Sequence, residues 1–99
     1  MPMTPAQMDR KVDEHFRHEA GDGVEGVLRT LAEDVEHDVV GWPAGATRGR
    51  AAARAFYEAM FADLSDSRVE TLRRLYGTDF VVDESLWRGR AAGRGRASR

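Results

Sequence analysis

The residues best suited to acid–base chemistry in this sequence are His37 and Asp38, its one adjacent histidine–aspartate pair. They lie in the stretch 35–42, which comes after a segment of helical spacing. Its alternation of apolar and polar residues predicts a strand over about 35–41. Neighbouring strand side chains point to opposite faces, so both cannot enter one pocket unless a bulge intervenes. The alternation places His37 with Val35 and Val39 on the apolar face, which predicts that His37 points inward.

Either of these two side chains is a candidate for moving a proton near neutral pH. Histidine as a residue type titrates in this range without strong perturbation. A carboxylate in an apolar pocket has a raised pKa and can then act as a general base. The alternative interpretation is a partly buried, hydrogen-bonded His37 beside a solvated Asp38, with no functional role. The residues themselves leave both interpretations open.

Aromatic side chains are spread along the chain and can shape a pocket for a flat apolar ligand. Ordinary core packing explains the same residues equally well. The pocket hypothesis predicts a small hydrophobic ligand. Its predicted lining residues are Phe16, Trp42, Tyr57, Phe61 and Trp87.

The histidines of the first predicted helix form a second candidate group. His15 with Glu19, and Glu14 with His18, are four residues apart, a spacing that can hold zinc on one helix face. The fuller zincin pattern is absent, so we interpret these residues as a solvated helix face. The chain has no cysteine, which excludes disulfides and thiolate metal sites. We predict no metal and no cofactor.

Length and composition indicate one small domain. Of the 99 residues, 41% are hydrophobic and 32% are charged, which suits a globular chain. No apolar run approaches the length of a membrane span, and residues 1–10 lack the apolar core of a signal peptide. We predict a cytoplasmic protein without a membrane partner.

Charge is distributed unevenly along the chain. Residues 88–99 contain five arginines and no acidic residue, whereas all 17 acidic residues lie in 1–87. We predict a domain over 1–87 and a flexible basic tail over 88–99, whose composition cannot bury enough apolar surface to order itself. Contact of the tail with the acidic body, or with another subunit, is one alternative. We do not expect a nucleic-acid partner, because the tail is short and lacks interleaved aromatic residues.

The elements in the first half of the chain follow from caps and periodicity. The segment Thr4-Pro5-Ala6-Gln7 is a capping box with proline at the first helical position, which predicts a helix over about 5–20. A second capping box joins Asp22 and Glu25. The apolar residues that follow it recur at helical spacing and predict a helix through Val35.

The second half predicts one further helix and a hairpin. A helix is predicted over 50–63, and the residues 65–67 end it. Two strands are predicted over 68–76 and 79–88, around a turn at Gly77-Thr78.

Three stretches carry a family resemblance: EAGDGVEGVLRTLAEDVEHDVVG (19–41), TRGRAAARAFYEAMFADLSD (47–66) and SRVETLRRLYGTDFVVDESLWRGRAAG (67–93). The first resembles the opening N-x-G-D…L-F-A-D-D-V of SnoaL-like polyketide cyclases and ketosteroid-isomerase-like proteins. The second resembles their helix G-R-x-A-I-R-x-F-Y, and the third resembles the hairpin that follows. Their order resembles that of the nuclear transport factor 2-like superfamily.

The resemblance implies an α+β fold in which three N-terminal helices pack on a curved antiparallel sheet, forming a cone-like barrel around a hydrophobic pocket. It implies a homodimer that packs through the sheet, without metal or redox cofactor. In catalytic members a carboxylate of the first strand is the general base, which favours Asp38. We predict proton-transfer chemistry of the isomerase, cyclase or dehydratase type on a hydrophobic carbonyl compound. The alternative is a non-catalytic ligand-binding or dimerisation module, or a truncated remnant of the family.

The sequence departs from the family pattern in two places. The strands that complete the family's sheet do not follow the hairpin, so we expect an incomplete sheet with exposed edges. The tyrosine that ketosteroid isomerases place on the first helix as oxyanion donor is not evident, and Glu14, His15 and Phe16 occupy that region. A complete isomerase site is therefore not expected.

Overall fold

The computed structural model describes residues 3–21, 23–43 and 45–92. Helices are followed by antiparallel strands, so the predicted α+β class is confirmed. In the described residues β1 pairs with β2 and β3 pairs with β4, and neither sheet closes into a barrel. The elements in chain order are α1 (Pro5–Ala20), α2 (Val24–Arg29), β1 (Glu36–His37), β2 (Thr47–Arg48), α3 (Arg50–Asp63), β3 (Leu64–Tyr76) and β4 (Val81–Ala91).

Helix α1 begins and ends where the sequence predicts. The Gln7 backbone N–H donates to the Thr4 hydroxyl at 3.2 Å, and the Thr4 backbone N–H donates to the Gln7 side chain at 2.8 Å. Pro5 takes the first helical position, and the capping box gives hydrogen-bond partners to backbone N–H groups that a helix N-terminus otherwise leaves unpaired. At the other end, the Gly21 N–H donates to the Arg17 carbonyl.

Helices α1 and α2 form a close hairpin. Gly23 takes the N-cap position of α2, and Asp22, which was predicted to cap it, lies outside the described residues. Within α2, Gly26 is buried against the imidazole of His18, and any side chain at this position would overlap the ring. The glycine therefore lets the two helices approach each other.

Helix α2 has six residues and ends well before the end predicted near Val35. The hydroxyl and the backbone N–H of Thr30 both donate to the Val27 carbonyl, which tightens the last turn. The Arg50 guanidinium of α3 then donates to the Leu31 carbonyl at 2.9 Å from Nε. These hydrogen bonds occupy backbone carbonyls that would otherwise accept the next hydrogen bonds of the helix. The helix therefore ends, although apolar residues continue at helical spacing.

Strand β1 is shorter than the stretch predicted over 35–41, since just two residues of it pair with β2. Gly41 has a φ of 86°, a left-handed conformation that favours glycine and turns the chain away. Burial over 35–40 still alternates as predicted, and His37 lies on the half-buried face.

Helix α3 has the bounds that the sequence predicts. Ala53 and Tyr57 are buried on the side that faces the other helices. On the surface, the Arg54 guanidinium lies 2.6 Å from the Glu25 carboxylate of α2. The helix is thus tied to α2 by packing and by an exposed ion pair.

The β3–β4 hairpin begins earlier than predicted, at Leu64, directly after α3. The residues 65–67, predicted to separate helix and strand, belong to β3. A register shift between Ser65 and Arg68 accommodates Asp66, which has a φ of 54°.

The hairpin also ends later than predicted, because β4 continues to Ala91, which pairs with Leu64. Residues 88–91 are therefore part of the sheet and not of the tail predicted over 88–99. Backbone pairing orders them although their side chains are exposed. The residues 93–99 of the predicted tail lie outside the described residues.

One arginine joins the hairpin to α1. The Arg74 guanidinium lies 3.0 Å from Asp9 and 2.5 Å from Asp13, both on α1, and 2.8 Å from Asp83 on β4. The Tyr76 hydroxyl also donates to Asp9. We call these five residues the Arg74 clamp. The Arg74 side chain is the least exposed member of the clamp together with Asp83, at 9% each.

The apolar core is small and lies between the helices. By contrast, one face of the hairpin leaves large apolar side chains open to solvent. In the described part of the chain the buried hydrophobic residues are Met8, Val27, Leu28, Ala53 and Tyr57, and the exposed ones on the hairpin include Leu72, Leu75, Phe80 and Val82.

Candidate functional site

A cleft of about 320 Å³ opens between β1, the chain that follows it, and α3. Of the described residues that line it, His37 is the one titratable side chain and Thr47 is the one hydroxyl. The cleft is thus an apolar surface with a single group for acid–base exchange. Its lining residues are His37, Val39, Trp42, Gly45, Thr47, Ala52, Ala55, Phe56 and Ala59.

Helix α3 forms the floor of the cleft. Three alanines fall on one stripe of the helix, and their small side chains leave the space that larger ones would fill. Phe56 projects beside them, with its ring centroid 5.1 Å from that of Trp42 and 4.7 Å from that of His37. These three rings form an aromatic wall suited to a flat apolar molecule.

His37 reaches the cleft because the β1–β2 pair holds its backbone. It pairs in register with Thr47, whose hydroxyl donates to the His37 carbonyl at 3.4 Å. Strand alternation turns Asp38 the other way, where it is exposed. The structure therefore brings His37, and not Asp38, to the cleft.

The five residues predicted to line the pocket lie in different places. Trp42 lines the cleft, although it is 47% exposed. Tyr57 lies behind the cleft, where its ring packs against His37 and Phe56. The predicted residues that do not line the cleft are Phe16, Tyr57, Phe61 and Trp87.

Phe56 lines the cleft but is not among the residues that the sequence predicts as pocket lining. It shares a stripe of α3 with Ala52 and Ala59. An aromatic residue flanked by alanines on one helix face leaves a recess beside its ring. That pattern was the available signal for a pocket at this position.

Behind the cleft lies a partly buried group of polar side chains, His15, Glu19, Thr30 and Tyr57, which we call the polar cluster. The Tyr57 hydroxyl donates to Glu19 Oε2 at 2.8 Å, and His15 Nε2 lies 2.9 Å from the same oxygen. His15 Nδ1 lies 2.7 Å from Thr30 Oγ1. Because Glu19 is 5% exposed, the interpretation of this helix face as solvated is wrong for the His15–Glu19 pair.

The burial of Glu19 had no local signal, since its partner Tyr57 is 38 residues away on α3. Burial raises the pKa of Tyr57 well above its ordinary value, as do the charge of Glu19 and the hydrogen bond to it. The phenol therefore remains a donor at neutral pH. The first helix shows no tyrosine of its own, but Tyr57 of α3 brings a phenol hydroxyl into contact with it.

None of the described helices is long and apolar enough to cross a membrane. The described residues also bring together no group of three or more histidines, cysteines, aspartates or glutamates in a metal-binding arrangement. The chemistry that the lining side chains themselves offer is proton exchange.

The family model of the SnoaL-like domain matches residues 12–99, so the chain belongs to the SnoaL-like family. This match confirms the resemblance identified in the sequence. A search of curated proteins found no match.

Two solved structures share the fold. An LEH-like epoxide hydrolase from M. tuberculosis has a TM-score of 0.68 at 17% identity, over 84% of this chain and 60% of that chain. A protein assigned as an aromatic ring hydroxylase, from Novosphingobium aromaticivorans, has a TM-score of 0.77 at 17% identity, over 91% of this chain and 70% of that chain. The present chain thus spans three fifths of the epoxide hydrolase, and at this identity the likeness concerns the fold alone.

Proposed function

We propose that the cleft beside His37 binds a small hydrophobic carbonyl compound and that His37 exchanges a proton with it. The observation that carries this proposal is the position of one titratable side chain in an otherwise apolar cleft. A carbonyl compound fits because its body packs on Trp42 and Phe56, while its acidic C–H bond offers a proton to a base. Membership of the SnoaL-like family supports a small-molecule-binding or enzymatic role.

In the proposed reaction the neutral imidazole of His37 removes a proton from the carbon next to the carbonyl group. The electron pair of that C–H bond moves toward the carbonyl oxygen and gives an enolate. The Thr47 hydroxyl is the lining side chain that can donate to this oxygen, once it turns away from its long 3.4 Å bond to the His37 carbonyl. The imidazolium then returns the proton, either to the same carbon or to a conjugated one, which is an isomerisation.

The size of the cleft limits the ligand. A volume of about 320 Å³ is near the lower end for ligand pockets. The aromatic wall favours a flat molecule. We therefore expect a ligand of about one ring, such as a cyclic ketone or enone, and we expect larger polycyclic ketones to bind more weakly.

Binding can be followed through Trp42, which lines the cleft. The chain has two tryptophans, so Trp87→Phe leaves Trp42 as the reporter. We expect cyclic ketones to change the Trp42 fluorescence in a saturable way, and Phe56→Ala to weaken this binding. Small apolar epoxides are the second set of probes, because of the fold likeness to an epoxide hydrolase. A signal that stays linear with concentration for every probe contradicts a binding site.

Proton transfer can be measured directly as exchange of the ketone's α-hydrogens for deuterium in D₂O by NMR. We expect His37→Gln to slow the protein-dependent exchange about 100-fold or more while binding persists, since glutamine cannot accept the proton. Asp38→Asn is the matched control, because the neighbouring side chain faces solvent. Exchange that survives in His37→Gln, or that requires Asp38, would overturn the assignment of His37 as the base.

The open face of the hairpin supports a second proposal, that two copies of the chain pair through it. Because Arg74 and Asp83 face α1, the residues next to them in each strand face away from it. Leu75 and Val82, directly opposite each other, lie on this outer face and are 55% and 50% exposed. A second copy would cover these apolar side chains.

A further inference from the structure

The outer face of the β3–β4 hairpin carries a regular pattern of charged and apolar side chains. Both register shifts of the hairpin add residues to β3, so β4 alternates without interruption. Asp83 faces α1, where it meets Arg74, and every second residue of β4 on either side of it therefore faces outward. These outward residues are Val82, Glu84, Leu86, Arg88 and Arg90.

The outer face is built of rows of two residues, because each outward residue of β4 lies opposite a residue of β3 on the same face. The row next to the turn is apolar, the second joins opposite charges at 3.2 Å, and the fourth sets two arginines side by side. We call the end of the hairpin away from the turn its basic end. In order from the turn, the rows are Leu75 with Val82, Arg73 with Glu84, Glu70 with Leu86, and Arg68 with Arg88.

The basic end has more arginines than carboxylates to pair with them. Arg88 lies 3.7 Å from Glu70, and Arg90 lies 3.6 Å from Asp66. Both distances are longer than a hydrogen bond, and with Arg68 three arginines share two carboxylates. Like charges directly opposite each other on neighbouring strands are unfavourable. This end of the hairpin therefore favours a negatively charged neighbour and disfavours a second basic surface.

A second copy on the outer face can take one of two aligned orientations. Two identical faces pack through a two-fold axis that lies between them, and aligned sheets keep their strands nearly parallel or antiparallel. If the axis runs along the strands, every row meets the same row of the second copy. If the axis runs across the strands, the basic end of one copy meets the turn of the other.

The charges decide between these orientations. The parallel one brings four arginines together, since Arg68 and Arg88 of both copies share one place. Like charges brought together at an interface exclude an arrangement more effectively than exposed ion pairs favour one. The antiparallel orientation separates the two basic ends and places each beside the turn of the other copy, which carries Asp79.

We infer that two copies pack their outer faces antiparallel, with the two-fold axis at the row formed by Arg73 and Glu84. In this register the four charges around the axis alternate in sign, and Val82 of each copy meets Leu86 of the other. An axis nearer the turn would leave Leu86 without a partner strand. An axis nearer the basic end would set the apolar row on arginines. The inference rests on the proposal that two copies pair through this face, and it adds their orientation.

Charge reversal tests the position of the axis. Arg73→Glu places four carboxylates around it, and Glu84→Arg places four guanidinium groups there. We expect each variant alone to sediment as a monomer, and their equimolar mixture to form a dimer with one copy of each. Arg48→Glu is the matched control, because Arg48 and Glu36 form an exposed pair at the same distance, 3.2 Å, away from the hairpin. Variants that stay dimeric alone overturn this position of the axis.

Distances between spin labels test the orientation. The chain has no cysteine, so Arg88→Cys and Arg90→Cys each carry one label per copy. These positions are four and six residues from Glu84, and a two-fold axis doubles that separation. At the rise of an extended strand we expect about 27 Å and about 41 Å along the strands in the full-chain dimer by pulsed EPR. Parallel copies would instead give the same short separation, about 10 Å, at both positions.

The outcomes separate the orientation from the pairing itself. A wild-type chain that sediments as a monomer overturns both the pairing through this face and the inference. A dimer that Leu75→Lys with Val82→Lys dissociates, but whose label distances stay short and equal, keeps the face and overturns the antiparallel orientation. Distances that grow toward the basic end support it. None of these measurements uses a ligand, so a cleft that binds no ketone leaves them unaffected.

Discussion

Tyr57 connects the polar cluster to the cleft. Its hydroxyl donates to Glu19, and its ring packs against His37 and Phe56. Because burial and the neighbouring carboxylate keep the phenol protonated, the hydrogen bond persists well above neutral pH. A single side chain therefore serves as a donor inside the core and as the support behind the cleft.

Tyr57→Phe keeps the ring and removes the hydroxyl, so Glu19 loses a donor in a buried position. We expect the free energy of unfolding at pH 7 to fall by about 1–3 kcal/mol. The raised pKa of Tyr57 means that this contribution is complete below the unfolded value of about 10 and is lost as the pH rises above it. The difference between wild type and variant should therefore narrow in alkali.

Urea unfolding at pH 7 and near pH 11 measures this difference. Tyr76→Phe is the control, because Tyr76 is 42% exposed and its hydroxyl bonds the surface residue Asp9. We expect a smaller loss from it than from Tyr57→Phe. An equal loss from both variants, or a Tyr57→Phe effect that does not change with pH, contradicts the buried role of the phenol.

At the scale of elements, the polar groups of the Arg74 clamp join the hairpin to α1. A hydrogen bond from Tyr76, and then one from Arg74, lowers the pKa of Asp9. Burial alone would raise the pKa of Asp83, but hydrogen bonds from Arg74, Thr71 and Ser85 outweigh it and lower the pKa. Both carboxylates therefore stabilise the fold in their ionised form.

Arg74→Met should weaken the attachment of the hairpin to α1, because the largely buried Asp83 loses its charged donor. We expect the free energy of unfolding to fall by about 1–3 kcal/mol at pH 7. Since the folded pKa values are lowered, the clamp contributes above the ordinary aspartate pKa of about 3.9 and is lost as the pH falls below it. The gap between wild type and variant should shrink in acid.

Arg73→Met is the matched control for the clamp. Arg73 precedes Arg74 on β3 but points to the outer face, where it pairs with Glu84 at 3.2 Å and both side chains are exposed. Such an exposed pair adds little to stability. Urea unfolding monitored by circular dichroism at pH 6 and pH 3 compares the two variants. Equal losses would show that the clamp does not hold the hairpin.

The elements predicted most accurately from the sequence are those whose ends are set by nearby residues. Thr4 and Gln7 are three positions apart, and their capping box marks the start of α1 correctly. The end of α2 depends on Arg50, which lies 19 residues further along the chain and donates to the Leu31 carbonyl. The spacing of nearby apolar residues therefore predicted a longer helix than the structure has. The same reason explains why Glu19 was assigned to the surface, since Tyr57 approaches it from α3.

The candidate site shows the same division between local and distant information. The alternation of apolar and polar residues over 35–40 predicts that His37 faces inward, and the structure places it at the cleft. The family motif favoured Asp38 instead, which is exposed. Which aromatic residues meet His37 depends on how α3 packs, and no spacing along the chain encodes that contact.

At the scale of the whole molecule, a small buried core lies beside an apolar surface that remains open. Small domains bury a limited share of their surface, so exposed apolar side chains are a reason to expect further packing. The outer face of the hairpin carries Leu75, Val82 and Leu86, with exposed fractions of 55%, 50% and 39%. Two free strand edges flank it in the described residues. Open edges of this kind invite pairing with another chain.

If two copies pair through the outer face, charges placed on it should separate them. We expect sedimentation equilibrium to give twice the chain mass for the wild type and the chain mass for the double variant Leu75→Lys and Val82→Lys. Both substitutions put like charges at directly opposed positions and remove the apolar surface that a second copy would cover. Val40→Lys is the control, because Val40 is 95% exposed and lies away from the hairpin, beside the cleft. A monomeric wild type, or a double variant that remains dimeric, would contradict pairing through this face. A dimer in all three proteins would mean that the interface lies elsewhere, on the strand edges or on the helices.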